Sequence, residues 1–358
     1  MNRYIVLFFV LITFPVLLSA KGEILNILTL GAKPDGRSDN WEIIQRAIDR
    51  MISAGGGTIY FPKGEYAIYN KSLVISGDNL VLVGESELET KIVKKGTAGY
   101  FGDCIDICGK IKGYKYFGDF GRGNYNALRE YKGETIPARN IYLKNITFTT
   151  SLSKINSSAN NLGILNSSDV TVESCTFTDA PQTNIAIINN SKQYKNNRIR
   201  FINCNFLNSG SHNVRVITSE RGALSGNDVM FEGCVFGGVK GEERNFRDII
   251  GRRINLWYRG AHESNKSFLC IKSCTFDKTG IVYLSANVSG FKMTGSIVRS
   301  NLEINHSIHF EDNPSINVAK NRFIATSTRD REAYQGIVIR PTSLSQGGNV
   351  RILNNQNF

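Results

Sequence analysis

Ile146-Thr147-Phe148 returns along the chain as Cys175-Thr176-Phe177, Cys204-Asn205-Phe206, Cys234-Val235-Phe236 and Cys274-Thr275-Phe276. Every copy reads apolar, spacer, phenylalanine, and the phenylalanines are 29, 29, 30 and 40 residues apart (148, 177, 206, 236, 276). A weaker copy, Asn321-Arg322-Phe323, comes later. Self-similarity at such a period marks a solenoid, whose coils bury themselves against their neighbours. A short alternating segment precedes the phenylalanines, as in Val170-Thr171-Val172 and Ile199-Arg200-Phe201, so the repeat unit is built of strands.

A second strand recurs within the period: Leu162-Gly163-Ile164, Ile185-Ala186-Ile187, Val214-Arg215-Val216, Leu256-Trp257-Tyr258, Ile281-Val282-Tyr283, Ile308-His309-Phe310 and Ile337-Val338-Ile339. Its first and third residues are apolar and its middle residue varies. Alternate residues of a strand point to opposite faces. The constant positions therefore face a core and the variable ones face outward. Coils stacked about 4.8 Å apart would align like positions into ladders. The aligned Cys175, Cys204, Cys234 and Cys274 then become an inward row of small apolar thiols rather than a disulfide framework. Cys104 and Cys108 lie outside the row and are close enough in sequence to pair with each other, while Cys270 has no assignment. The fold class that follows is all-β, a parallel β-helix solenoid.

The ends and the bulk composition set the context. Met1-Asn2-Arg3, an apolar run from Tyr4 to Leu18 and then Ser19-Ala20 read as a signal peptide over residues 1–20, with the run shorter than the roughly 20 residues of a spanning helix. This leaves residues 21–358 as a single exported β-helix domain, with no membrane partner once the signal is removed. The net charge of +12 loses one unit with Arg3 and favours acidic partners. Export disfavours nucleic acid, leaving an acidic polysaccharide as the expected partner.

The N-terminal stretch carries a second kind of information. Gly31-Ala32-Lys33-Pro34-Asp35-Gly36 is followed by Asp39, Ile44-Gln45 and Ala47-Ile48, then by Gly55-Gly56-Gly57-Thr58-Ile59-Tyr60-Phe61-Pro62-Lys63-Gly64-Glu65-Tyr66. This resembles the opening of the pectate-lyase-like superfamily, whose members are right-handed parallel β-helices and many of which act on polysaccharides. The residues also have a physical reading of their own. Asp39 and Glu42 are placed as a capping pair at a helix start. Trp41, Ile44, Ala47, Ile48, Met51 and Ile52 form one apolar stripe at helical spacing. The triple glycine ends that helix, and residues 21–70 make up the N-terminal cap and the first coil that it covers.

The outward positions of the second strand are the candidate site. Arg215, Trp257, Arg259, His309 and Glu311 are expected on one ridge, with Trp257 stacking on sugar rings and the guanidiniums pairing carboxylates bidentately. In relatives of this fold the substrate cleft lies on one such sheet. His212 sits at the turn before the Arg215 strand. Asn161, Asn184, Asn213 and Asn255 align as a row, for which mutual hydrogen bonding is the favoured role and sugar contact the alternative for Asn184, Asn213 and Asn255. Two insertions, from Lys110 to Arg139 and around Lys240 to Arg253, are candidate binding loops.

The polygalacturonase branch of the superfamily needs several aspartates where this chain has Thr183-Asn184 and Ser211-His212, which disfavours that inverting hydrolysis. A separate pair, Glu242 or Asp248 with Glu311, is the remaining route to a hydrolase. A lyase must neutralise a uronate carboxylate, remove the adjacent proton and protonate the leaving oxygen. The expectation is thus an enzyme that cleaves an acidic polysaccharide by β-elimination, with Arg215 as base or carboxylate clamp, Arg259 as second clamp and His212 as acid or base. A glycoside hydrolase and a non-catalytic carbohydrate-binding β-helix are the alternatives. The sequence requires no cofactor. Some relatives hold Ca²⁺ with a carboxylate cluster, and the resemblance admits calcium here, although the ridge shows no such cluster.

Overall fold

The computed structural model describes residues 23–69, 71–96, 103–111, 135–152, 159–189, 196–218, 227–242, 251–259, 268–286, 290–306, 315–324, 336–341 and 349–357. Three parallel sheets of 11, 10 and 9 strands run the length of the molecule. Each coil adds one strand to each, so the architecture is the expected right-handed parallel β-helix. Sheet A runs from Ile24–Asn26 to Asn349–Leu353, sheet B from Gly64–Tyr69 to Gln356–Asn357, and sheet C from Leu73–Ile75 to Ile337–Pro341. Sheets A and B meet at tight corners, where one residue takes a left-handed backbone: Asn145 at φ 56°, Ser174 at 50°, Asn203 at 52° and Gly233 at 66°. Asparagine and glycine tolerate that conformation, which explains their return at this point of the repeat.

The apolar-spacer-phenylalanine triplets follow these corners. Phe148, Phe177, Phe206, Phe236 and Phe276 are fully buried on sheet B in consecutive coils. Neighbouring rings stack, at 5.2 Å and 7° for Phe148 on Phe177 and at 4.4 Å and 15° for Phe236 on Phe276. The thiols of Cys175, Cys204, Cys234 and Cys274 form a buried row, each donating to the carbonyl two residues before it. All seven cysteines are free, so Cys104 and Cys108 do not pair. Between Phe276 and Phe323 the stack has a coil the phenylalanine register skipped, carried by Val298.

The helix Trp41–Ser53 covers the first coil through Ile44, Ala47, Ile48 and Met51. Its buried Gln45 does more than pack. Gln45 Nε2 donates to Val74 O at 2.9 Å and Gln45 Oε1 accepts from Val74 N at 2.8 Å. Val74 is the middle of the first strand of sheet C, so this amide takes the place of a neighbouring strand at an edge that would otherwise be unpaired. The expected Asp39–Glu42 capping box is absent. Asp39 Oδ1 accepts from Trp41 N and Tyr69 N, and Glu42 pairs with Arg46 one turn on.

Candidate functional site

Sheet C supplies the outer wall on which the candidate residues were placed. Register runs Val74, Asp106, Gly163, Ala186, Arg215, Trp257, Tyr283 and Glu303 along one outward row. The next outward row contains Ile188, Ile217, Arg259 and Ser285. Arg215, Trp257 and Arg259 therefore share one side of the cylinder, with Arg215 directly paired to Trp257 and Ile217 to Arg259.

Their surroundings differ from an open ridge. Trp257 is 3% exposed and Arg215 8%. Trp257 packs with Ile217, Ile254, Tyr283 and Ile281 in an apolar cluster outside the main core, and its Nε1 donates to Ser285 Oγ at 3.0 Å. His212 lies fully buried under it, with ring centroids 5.5 Å apart and 26° between planes. Ser211 Oγ is 2.8 Å from His212 Nδ1. Burial, with the nearby charge of Arg215, pushes the His212 pKa down to about 3. An imidazole held neutral so far below pH 7 has no proton to give there and little affinity for one. The acid or base role expected for His212 does not fit this environment; the ring supports Trp257 instead.

The asparagine row is an internal ladder. Asn161 Nδ2 donates to Asn184 Oδ1 at 2.8 Å, Asn184 to Asn213 at 2.9 Å and Asn213 to Asn255 at 2.9 Å. Each Nδ2 also donates to a backbone carbonyl, that of Thr178, Leu207, Gly237 or Gly280. All four are fully buried. Sugar contact by Asn184, Asn213 and Asn255 is therefore set aside, because their amide groups are already taken up by the turns they stitch together.

After Asn255 the register slips. Ile254 pairs with Ile281 but Leu256 pairs with Val282, leaving Asn255 bulged. Gly280 accommodates this, since a Cβ there would lie 2.7 Å from Asn255 N. The slip moves Val282 and Leu284 into the core and turns Tyr283 and Ser285 outward, the reverse of the sequence reading. The next strand is Leu302–His306, which places Glu303 rather than His309 on the row. His309, Glu311 and Asp248 lie outside the described residues, as do 112–134 and 243–250 of the two insertions. The base of the first insertion is an antiparallel pair, Lys110–Ile111 with Thr135–Ile136.

Four polar residues on this wall escaped the sequence reading. Tyr283 and Ser285 were hidden by the bulge. Glu303, mostly buried and ion-paired with Arg252, was hidden by the misplaced sixth strand. Asp106 was missed although Ile105-Asp106-Ile107 has the apolar, variable, apolar form of the other strands. Among the described residues no group of three or more His, Cys, Asp or Glu side chains is arranged to hold a metal ion.

Residues 24–240 match the family described as rhamnogalacturonase A/epimerase, pectate lyase-like. The chain belongs to that family. Alginate lyase 7 of Azotobacter vinelandii is 40% identical over 72 residues, which are 19% of this chain and 8% of the lyase. This pectate-lyase-like chain thus matches only a small part of that relative. The tailspike of E. coli bacteriophage HK620, solved with a pentasaccharide, superposes with a TM-score of 0.55 at 11% identity, over 93% of this chain and 57% of the tailspike. The Streptococcus pneumoniae surface adhesin PfbA superposes with a TM-score of 0.53 at 16% identity, over 94% of this chain and 81% of the adhesin. These two likenesses establish the β-helix fold.

Proposed function

We propose that this chain is an exported protein that binds a uronate-containing polysaccharide along the outer wall of sheet C and cleaves it by β-elimination. The observation that carries this is the convergence of Arg215, Trp257 and Arg259 on adjacent rungs of one wall, in a family that includes rhamnogalacturonase and epimerase and beside a relative named alginate lyase. Arg215 and Arg259 serve as forks for uronate carboxylates, which lowers the cost of drawing electrons toward the carboxylate as the neighbouring proton leaves. Arginine keeps its proton, so its part is the clamp and not the base. With His212 sealed and neutral, proton transfer falls to Tyr283 and Glu303, which are adjacent in register. Ca²⁺ remains a candidate addition, to be tested by chelation.

Elimination and C5 epimerisation share their first step, removal of the proton beside the carboxylate. They part when the glycosidic oxygen leaves or the proton returns to the opposite face. Incubation of the protein with polymannuronate, polyguluronate and polygalacturonate in D₂O separates the outcomes. Elimination gives unsaturated sugar absorbance, epimerisation gives deuterium at C5 without unsaturation, hydrolysis gives new reducing ends alone, and a binding protein retains the polymer unchanged. The first result supports the reading. Any of the others on the polymer that binds overturns the reaction class.

A further inference from the structure

The outer face of sheet A lies on another side of the cylinder from the wall of sheet C, and its charges are unevenly matched. Among the described residues its outward carboxylates are Asp169, Glu173, Asp228 and Glu232. Asp169 pairs with Arg198, Glu173 with Lys144 at 2.8 Å and Glu232 with Lys272. Asp228 adds to the negative charge around Arg198. One row is left with a surplus of cations. Register sets Arg200, Met230, Cys270, Lys292, Asn317 and Arg351 on consecutive strands. Arg200, Lys292 and Arg351 are exposed, and their side chains make no hydrogen bond or ion pair with a described residue. Three and then two strand spacings separate them, about 14 Å and about 10 Å, a line of roughly 24 Å. An aromatic ring stands beside the line. Phe268 is 43% exposed and opens the strand that carries Cys270. Its neighbours in register are Asp228 on one side and Gly290 on the other. Gly290 places no side chain against that flank of the ring, and Lys292 follows two residues along the same strand.

We propose that this face of sheet A is a second, non-catalytic binding surface for an acidic polysaccharide, with Phe268 as its stacking platform and Arg200, Lys292 and Arg351 as its carboxylate contacts. A sugar ring on the Gly290 shelf lays its apolar face against Phe268 and turns its carboxylate toward Lys292, an aromatic wall with one fixing charge. The spacing selects a polymer. A small anion reaches only one of the three cations, whereas a chain of uronates, with a carboxylate on each residue, reaches all of them. Each exposed contact is weak alone, and the chain gains by engaging them together. The surface rests on the proposed acidic-glycan reading and deepens it, by holding the polymer away from the wall where it is cleaved.

Native gels cast with long-chain polymannuronate or polygalacturonate test this, the retardation of the full-length protein giving its affinity for the polymer. Arg200→Gln and Lys292→Gln should each weaken retardation about two- to fivefold, the scale of one exposed ion pair, and both combined with Phe268→Ala roughly tenfold or more. Turnover of short oligomers of the same sugars should stay at the wild-type level in the triple variant, since none of the three residues stands on sheet C. Retardation that ignores the triple substitution overturns the surface and leaves the acidic-glycan reading standing. Retardation that falls with the two cations but not with Phe268→Ala also overturns it, because the face is then merely charged. A wild-type protein retarded by neither polymer, even one that binds phosphatidylglycerol vesicles, overturns both the surface and the acidic-glycan reading.

Discussion

The strands of sheet C present two faces that follow different rules. Inward, Ile105, Ile107, Leu162, Ile164, Ile185, Ile187, Val214 and Val216 are aliphatic and fully buried, and each rung nearly copies the last. Outward, alternate residues of the same strands run Asp106, Gly163, Ala186, Arg215, Trp257, Tyr283 and Glu303, with no shared chemistry. The inner face repeats because a side chain packed at crystal-like density must fit the rungs above and below it. The outer face is released from that constraint, and its residues answer to local partners. Repetition along this chain records how it folds, and departures from repetition mark where it is specialised.

The comparison can be broken from the inside. Phe206→Ala empties the middle of the aromatic stack, between Phe177 and Phe236, and should cost about 3–5 kcal/mol in urea unfolding. A smaller effect is expected under the outer wall. The unfolded chain protonates His212 near 6.5 and the folded chain only near about 3. The folded state therefore binds fewer protons in that window, and this stability, full above pH 6.5, is lost as the pH falls through it. The loss is on the order of a few kcal/mol. His212→Gln should flatten the fall in unfolding free energy between neutral and acid pH relative to wild type; an unchanged slope would refute the buried neutral ring. Gln45→Ala leaves the Val74 amide and carbonyl without their partner and should cost about 2 kcal/mol, read as a lowered unfolding midpoint with faster amide exchange at Val74. The smallest change in stability, within about 1 kcal/mol, is expected for Arg215→Lys, which keeps the charge and the stem but removes the fork.

The same contrast explains what could be read from the sequence. The coil period, the inward thiols, the stripe of the capping helix and the shared wall of Arg215, Trp257 and Arg259 were all legible, because each depends on spacing alone. The bulge at Asn255 was not, since one extra residue in a strand leaves the pattern of apolar residues nearly intact while reversing which of them face out. Ile281-Val282-Tyr283 fits either register, and only the pairing of Trp257 with Tyr283 decides it. Val298 broke the phenylalanine register and hid a coil, which displaced the following strand and with it Glu303. The role of His212 depended on depth, a property that sequence position does not carry. Asp106 was visible as a polar residue between Ile105 and Ile107, and its place on the outward row follows from the pairing of its strand with Val74 and Gly163.

The claim that the outer wall of sheet C acts on an acidic glycan is tested most directly by Arg215→Ala. The variant and the wild type should be compared for unsaturated product on the uronate polymer that the wild type cleaves, with their unfolding curves measured in the same buffer. Loss of one such charge-stabilising group predicts a fall of roughly a hundredfold or more in the rate, in a protein that still unfolds cooperatively. A folded Arg215→Ala protein that releases product at the wild-type rate would contradict the assignment.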